Sequence, residues 1–150
     1  MTAPYLALGL TGDQVLSLID EPGLRRRWDS APLAFSVLGV DRLRLTGPGA
    51  HTVESTVAAS FLAAGTRHAR MFSPVRSERD HPYNLARRSA SIGHLSGGRV
   101  GLVFGWHDPF LPTGAPWLPA DVPEPDAAAD SITAVRSLEQ SWPYDSVIAD

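Results

Sequence analysis

The residues that could do chemistry in this 150-residue chain are histidines, hydroxyl residues and carboxylates, because cysteine and lysine are both absent. The sequence contains five histidines, and all 13 of its basic residues are arginine. Without cysteine there is no disulfide framework, thiolate zinc site or cysteine nucleophile. Without lysine there is no Walker-type phosphate loop and no Schiff-base lysine. Nucleotide hydrolysis is therefore not expected.

The spacing of these residues argues against two familiar kinds of site. The histidines form neither an H-x-x-x-H nor an H-E-x-x-H pattern, so a metal site is not expected. Ser96 lies in the segment HLSGG at a predicted helix end, which is not where the strand-to-helix turn of a serine hydrolase would lie. A pair of catalytic carboxylates stays open, because Asp13, Asp41 and Asp108 are far apart in sequence and their separation in space does not follow from it.

Charge is distributed unevenly along the chain, whose formal net charge is −3. Residues 1–107 hold twelve arginines and eight acidic residues, whereas residues 108–150 hold one arginine and eight acidic residues. A nucleic-acid-binding protein needs a clustered basic face, which this balance does not provide. No apolar run reaches the roughly 18 to 20 residues of a membrane span, and the start of the chain lacks a signal-peptide pattern. We therefore expect a cytoplasmic protein that binds neither nucleic acid nor membranes.

Strands and helices are predicted to alternate along the chain. Short apolar runs that end at turn residues predict strands over residues 5–10, 40–46, 68–75 and 100–104. Helical spacing of apolar residues predicts helices over residues 14–28 with a break at 21–23, and over 31–38, 52–64, 83–94 and 126–140.

Two of these elements are predicted from local signals. Residues 31–38 are interpreted as a helix because Ser30 can serve as its N-cap and Gly39 can end it. Residues 40–46 alternate apolar and charged side chains, with two leucines on one face, which is typical of a strand.

The alternating order predicts an α/β fold with a parallel sheet. A doubly wound sheet and half of an eightfold barrel both agree with four strand-helix units. In either fold, ligands bind at the carboxyl ends of the strands. The loops predicted at those ends cover residues 11–13, 46–51, 73–81 and 105–110.

The segment HPYNLARRSASIGHLSGGRVGLVFGW, residues 81–106, resembles the bacterial-luciferase-like flavin-dependent monooxygenases. It is most similar to the branch that includes nitrilotriacetate, alkanesulfonate and alkane monooxygenases. In that family an H-P-Y-x-x-A-R segment opens the third helix of the barrel, and an L-S-G-G-R segment ends it just before strand four. Residues 54–66 and 127–150 also look like helices of the family, so that the resemblance covers nearly the whole chain.

The resemblance implies a TIM (β/α)8 barrel, of which 150 residues supply only the first half. Residues 1–150 are then one half-barrel domain, in which residues 108–125 form a proline-rich loop and residues 126–141 a terminal helix. The resemblance also implies reduced FMN from a separate flavin reductase, and insertion of oxygen into a small organic substrate.

Four residues are candidates for the site that the resemblance implies. His107 follows strand four and would lie near the reacting edge of the flavin. Thr46, Ser73 and Ser77 would be polar contacts of the cofactor. The alternative is a non-catalytic half barrel that acts as an assembly or interaction module, or a degenerate remnant. An open sheet has two edges and an apolar face, so we expect a homo-oligomer or a partner chain that completes the barrel.

Overall fold

A four-stranded parallel sheet with helices packed on it is the centre of the fold. The computed structural model describes residues 5–43, 53–105 and 123–141. Its strands are β1 (Ala7–Leu10), β2 (Phe35–Leu38), β3 (Met71–Arg76) and β4 (Val100–Gly105). Its α-helices are α1 (Gly12–Asp20), α2 (Pro22–Asp29), α3 (Ser55–Ala64), α4 (Pro82–Ser96) and α5 (Glu124–Ser141), and a short 3₁₀ helix covers Val40–Leu43. None of the helices in these ranges is long and apolar enough to cross a membrane.

The strands pair in the order in which they occur in the chain, β1-β2-β3-β4, and every pair is parallel. A doubly wound sheet reverses its strand order at a switch point, whereas a barrel adds each strand beside the previous one. The observed order therefore decides between the two predicted folds. The described chain is an α/β unit built as part of a TIM barrel, as the resemblance implied.

The two faces of the sheet differ because side chains alternate along a strand. On the helix face, Leu10, Leu38 and Met71 join the apolar core formed with α1 and α3. On the opposite face, which we call the inner face, Phe35 and Phe72 lie edge to face with ring centroids 5.1 Å apart. This inner face corresponds to the lumen of a barrel.

Most predicted elements are confirmed, including the break between the first two helices. Helix α1 begins with a capping box in which Thr11 and Gln14 exchange side-chain and backbone hydrogen bonds, an arrangement that satisfies two N–H groups at a helix start. Helix α2 starts again at Pro22, whose ring suits the first turn of a helix. The described structure also confirms a helix close to the predicted 126–140.

The helix predicted over residues 31–38 is wrong, because the second half of that segment is strand β2. Ser30 is the C-cap of α2 and does not start a new helix. Ser36 is buried and accepts a hydrogen bond from the indole Nε1 of Trp28 at 3.0 Å. Pairing with strands on both sides thus outweighs the local helix signals.

The strand predicted over residues 40–46 is also wrong, since the described part of it forms the 3₁₀ helix. Gly39 turns the chain out of β2 with a positive φ of 77°. Asp41 then accepts a hydrogen bond at 2.9 Å from the backbone N–H of Gly12, at the start of α1. The alternation of apolar and charged residues therefore reflects a turn fixed at the sheet end, not a strand.

Candidate functional site

The carboxyl ends of the four strands lie along one edge of the sheet, which we call the mouth. The last strand residues at the mouth are Leu10, Leu38, Arg76 and Gly105. Because all four strands are parallel, the loops that leave them emerge on the same side. The mouth is therefore the place where this fold can hold a ligand.

Gly9 of β1 lets the 3₁₀ helix approach the inner face of the sheet closely. A Cβ added to Gly9 would lie 3.0 Å from Cγ1 of Val40 and would crowd it. At the other outer strand, Cδ2 of Leu43 would lie at an ordinary contact distance, 3.4 Å, from a Cβ added to Gly105 of β4. The segment after β2 thus packs against the inner face close to the mouth.

Arg76 is a residue of the mouth that the sequence analysis did not identify. It is only 6% exposed, and it is the last residue of β3, opposite Gly105 of β4. Its Nη1 atom would lie 2.9 Å from a Cβ added to Gly105. The signal in the sequence is a lone arginine at the end of an apolar strand, since no other described strand residue is charged.

Ser73, predicted as a cofactor contact, lies on the helix face of β3 and is fully buried. Its hydroxyl donates to the carbonyl of Ser55 at 3.1 Å, and the Ser55 hydroxyl donates to the carbonyl of Pro74 at 2.8 Å. This reciprocal pair joins the start of α3 to the middle of β3. Ser73 therefore stabilises the packing of α3 against β3, on the side of the sheet away from the inner face.

Ser77, also predicted as a cofactor contact, follows β3 directly and is 1% exposed. It lies in a tight turn in which the backbone N–H groups of Arg79 and Asp80 both donate to the carbonyl of Arg76, at 3.1 and 3.2 Å. The turn places Ser77 at the mouth beside Arg76. Thr46 and His107, the other two predicted site residues, lie outside the described residues.

A charged network holds the loop after β3 against the helices. The guanidinium of Arg88 donates to Asp80 and, at 3.2 Å, to the hydroxyl of Thr56, and it lies 3.7 Å from Glu54. Burial raises the pKa of Glu54. Hydrogen bonds from Thr56 and Val57 and the charge of Arg88 lower that pKa by more, so that it falls below its ordinary value. Arg88 is therefore an ion-paired helix residue.

The segment after α4 has a structural role. Gly97 and Gly98 both have positive φ, as a helix end requires. Arg99 donates to the carbonyls of Ala63 and Ala69 at 2.9 and 3.3 Å. Because these contacts precede β4, they lie at the amino end of the sheet, opposite the mouth.

A groove of about 350 Å³ lies on the outer surface between α3 and α4. Its lining includes Thr56, Ser60, Arg88 and Ile92. The groove belongs to the helix layer. Among the residues that the structure describes, no three histidine or acidic side chains are grouped so that they could hold a metal ion.

The inner face carries an aromatic pair at some distance from the mouth. Phe35 is the first residue of β2 and Phe72 the second of β3, so this partly buried pair lies towards the amino ends of the strands, and a Cβ added to Gly101 would lie 2.7 Å from the ring of Phe72. Arg76 lies four residues beyond Phe72 along β3, at the mouth. Cofactor pockets typically combine an apolar lining with a few polar groups, and the inner face supplies residues of both kinds.

Comparison with known proteins connects this geometry with solved enzymes. No protein-family model matches the sequence, and no curated protein does. EDTA monooxygenase from Chelativorans sp. BNC1 has a similar fold, with a TM-score of 0.70 and 19% identity over 97% of this chain and 41% of that chain. A riboflavin lyase, solved with modified FMN and the substrate riboflavin, has a TM-score of 0.68 and 22% identity over 98% of this chain and 41% of that chain. A long-chain alkane monooxygenase has a TM-score of 0.65 and 16% identity over 100% of this chain and 42% of that chain.

These neighbours agree in three respects. Each matches nearly all of this chain, and this chain spans only about two-fifths of each, 41 to 42%. Identity of 16 to 22% establishes similarity of fold and no more. The predicted resemblance is thereby confirmed for the architecture: the chain has a fold similar to part of each of these proteins, consistent with part of a TIM barrel.

Proposed function

We propose that this chain carries the flavin-binding half of a luciferase-like monooxygenase that acts on a small organic substrate. The observation that supports this most directly is the fold, in which four parallel strands end at one mouth beside the buried charge of Arg76, in an architecture similar to part of two monooxygenases. The cofactor proposed is FMN, reduced by a separate reductase. When bound, it would supply the electrons that activate molecular oxygen.

The residues of the chain have separate tasks in this proposal. Phe35 and Phe72, towards the amino ends of β2 and β3, would fill the inner face beneath the cofactor. His107, two positions beyond the end of β4, would lie near the reacting edge and hold or accept a proton. Thr46 and Ser77 would donate hydrogen bonds to the cofactor. Ser73, which already donates to Ser55, would keep the loop after β3 in place.

Titration of the full chain with FMN tests this proposal. We expect saturable binding of one FMN per chain, measured by quenching of flavin fluorescence and by equilibrium dialysis. Ser77→Ala should weaken binding by about three- to tenfold, the effect of one hydrogen bond. Ser91→Ala is the matched control, because that exposed hydroxyl donates only within its own helix, to the carbonyl of Arg87 at 2.9 Å. Unchanged fluorescence and no retained FMN would contradict the proposal.

A second candidate function is assembly, which the β1 side of the sheet favours. Tyr5 and Leu6 are 88% and 63% exposed, and Leu8 is 38% exposed. Strand β1 is an edge of the described sheet, and an apolar sheet edge is a surface on which another strand can pair. We propose as the alternative that this edge takes a strand and helix from a second copy or a partner chain.

A further inference from the structure

The 3₁₀ helix Val40–Leu43, which we call the strap, lies across the carboxyl end of the inner face. Its first residue, Val40, meets β1, where its Cγ1 atom would lie 3.0 Å from a Cβ added to Gly9. Its last residue, Leu43, reaches β4, where its Cδ2 atom would lie 3.4 Å from a Cβ added to Gly105. The strap also lies close to β3. Four residues thus extend from one edge strand of the described sheet to the other.

Both glycines that the strap approaches belong to the inner face. Leu10 packs in the core on the helix face, so alternation along β1 places Gly9 on the opposite side. Phe104 packs with the helices in the same way, which places Gly105 on the inner face. The apolar side chains of the strap are partly buried against this face. They therefore take up volume that a ligand at the mouth would need.

One carboxylate anchors the strap, and one glycine connects it to the sheet. The Oδ1 atom of Asp41 accepts a hydrogen bond at 2.9 Å from the backbone N–H of Gly12, the first residue of α1. The helix dipole also favours a carboxylate at this place. Gly39, with its φ of 77°, joins β2 to the strap. Because glycine adopts many backbone conformations at low cost, the strap can leave the inner face while β2 stays paired.

We propose that the strap and the flavin ring compete for the carboxyl end of the inner face, so that binding of the cofactor releases the strap. This inference rests on the proposed function and adds to it a conformational step that limits the affinity. The apparent dissociation constant is then the intrinsic constant divided by the fraction of chains in which the strap is away from the sheet. Weakening the contacts of the strap should therefore tighten cofactor binding.

The first test is to measure binding of FMN and of riboflavin to the wild-type chain, Asp41→Ala and Leu43→Ala by flavin fluorescence. We expect each variant to bind both flavins about three- to tenfold more tightly, because the strap loses one hydrogen bond or one apolar contact. Riboflavin lacks the phosphate and Leu43→Ala changes no charge, so both separate release of the strap from repulsion between Asp41 and the phosphate. Asp20→Ala removes an exposed carboxylate from the other end of α1 and should change neither affinity.

Hydrogen exchange of the wild-type chain is the second test, and it needs no variant. We expect saturating FMN to speed the exchange of the backbone amides in residues 40–43 and of the Gly12 amide, which loses its bond to Asp41. A ligand that rested on the strap would slow this exchange instead. Mass spectrometry of peptic peptides that contain these residues measures the effect. This measurement stays valid if circular dichroism shows that neither variant folds.

The two proposals fail in different ways in these experiments. If neither the wild-type chain nor a folded variant binds a flavin, the proposed function falls and this inference with it. If the wild-type chain binds FMN, but the folded variants bind it no more tightly or FMN slows exchange in the strap, only the role of the strap is overturned. A gain of Asp41→Ala for FMN alone, with riboflavin binding unchanged, reflects lost charge repulsion and also overturns that role.

Discussion

A single carboxylate ties the segment before β3 to the end of α2. Asp29 accepts hydrogen bonds from the backbone N–H groups of Arg67, His68 and Ala69, at 3.0, 2.8 and 2.8 Å. Burial raises the pKa of Asp29, but these three N–H groups lower that pKa by more, so it falls below its ordinary value of 3.8. The ionised carboxylate therefore stabilises the folded chain.

Replacing Asp29 should change both the stability and its dependence on pH. Since the folded pKa is lowered, the stabilisation is fully present above the unfolded pKa and is lost as the pH falls through the folded pKa. We expect Asp29→Asn to lower the free energy of unfolding by about 1 kcal/mol at pH 7. The difference from wild type should shrink below about pH 4. Urea unfolding at several pH values measures it.

Asp130 provides the control for this prediction, because its side chain is exposed on α5. Asp130→Asn should stay within about 0.5 kcal/mol of the wild-type chain at pH 7. An Asp29→Asn variant that is as stable as Asp130→Asn at neutral pH would show that the three hydrogen bonds contribute little.

At the scale of elements, the end of α4 depends on one left-handed residue. Gly97 has a φ of 62°, and the N–H of Gly98 donates to the carbonyl of Gly93 at 2.8 Å. A non-glycine residue in this conformation costs about 1 to 2 kcal/mol. We expect Gly97→Ala to lower the unfolding free energy by about that amount, as measured by urea denaturation.

Gly93 supplies a control of opposite sign within the same helix. Its φ is not positive, and a Cβ added there meets nothing within 4 Å. Gly93→Ala should therefore raise the unfolding free energy by about 0.5 to 1 kcal/mol. If both alanine variants changed stability in the same direction, the assignment of the helix end to Gly97 would be wrong.

The sequence predicts those elements whose own residues determine them. Strand β4 is a continuous apolar run and α3 has clear helical spacing, and both occur where predicted. Residues 31–38 behave differently, because Ser30 gives a valid N-cap signal while β2 gains its hydrogen bonds from neighbours far away in sequence. Local patterns contain no information about such pairing.

The candidate site was predicted less completely than the fold. Strand ends located the mouth, because ligand loops follow the carboxyl ends of parallel strands, and Ser77 was a candidate through the family resemblance. Alternation within β3 would have placed Ser73 and Arg76 on opposite faces, but only once the register of the strand was known. The position of the Arg76 guanidinium also depends on Gly105, which lies directly opposite Arg76 in the sheet but 29 positions away in sequence.

For the whole molecule, the exposed side of β1 determines how the alternative function can be tested. If that edge is a docking surface, the wild-type chain should have a mass above that of a monomer in analytical ultracentrifugation. Leu8→Arg places a charge on the surface and should return the chain to a monomer. Leu95→Arg, at a leucine 74% exposed on α4, should leave the mass unchanged. A wild-type monomer would rule out self-association through β1.

The sequential strand order also has a consequence for how the polypeptide reaches this shape. Each strand pairs with the strand that precedes it in the chain, β2 with β1, β3 with β2 and β4 with β3. When a strand leaves the ribosome, the strand with which it pairs has therefore already been synthesised. Loop closure at each step spans only one connection, which keeps its entropic cost low. We expect assembly to advance from the amino terminus during synthesis, one strand and helix at a time.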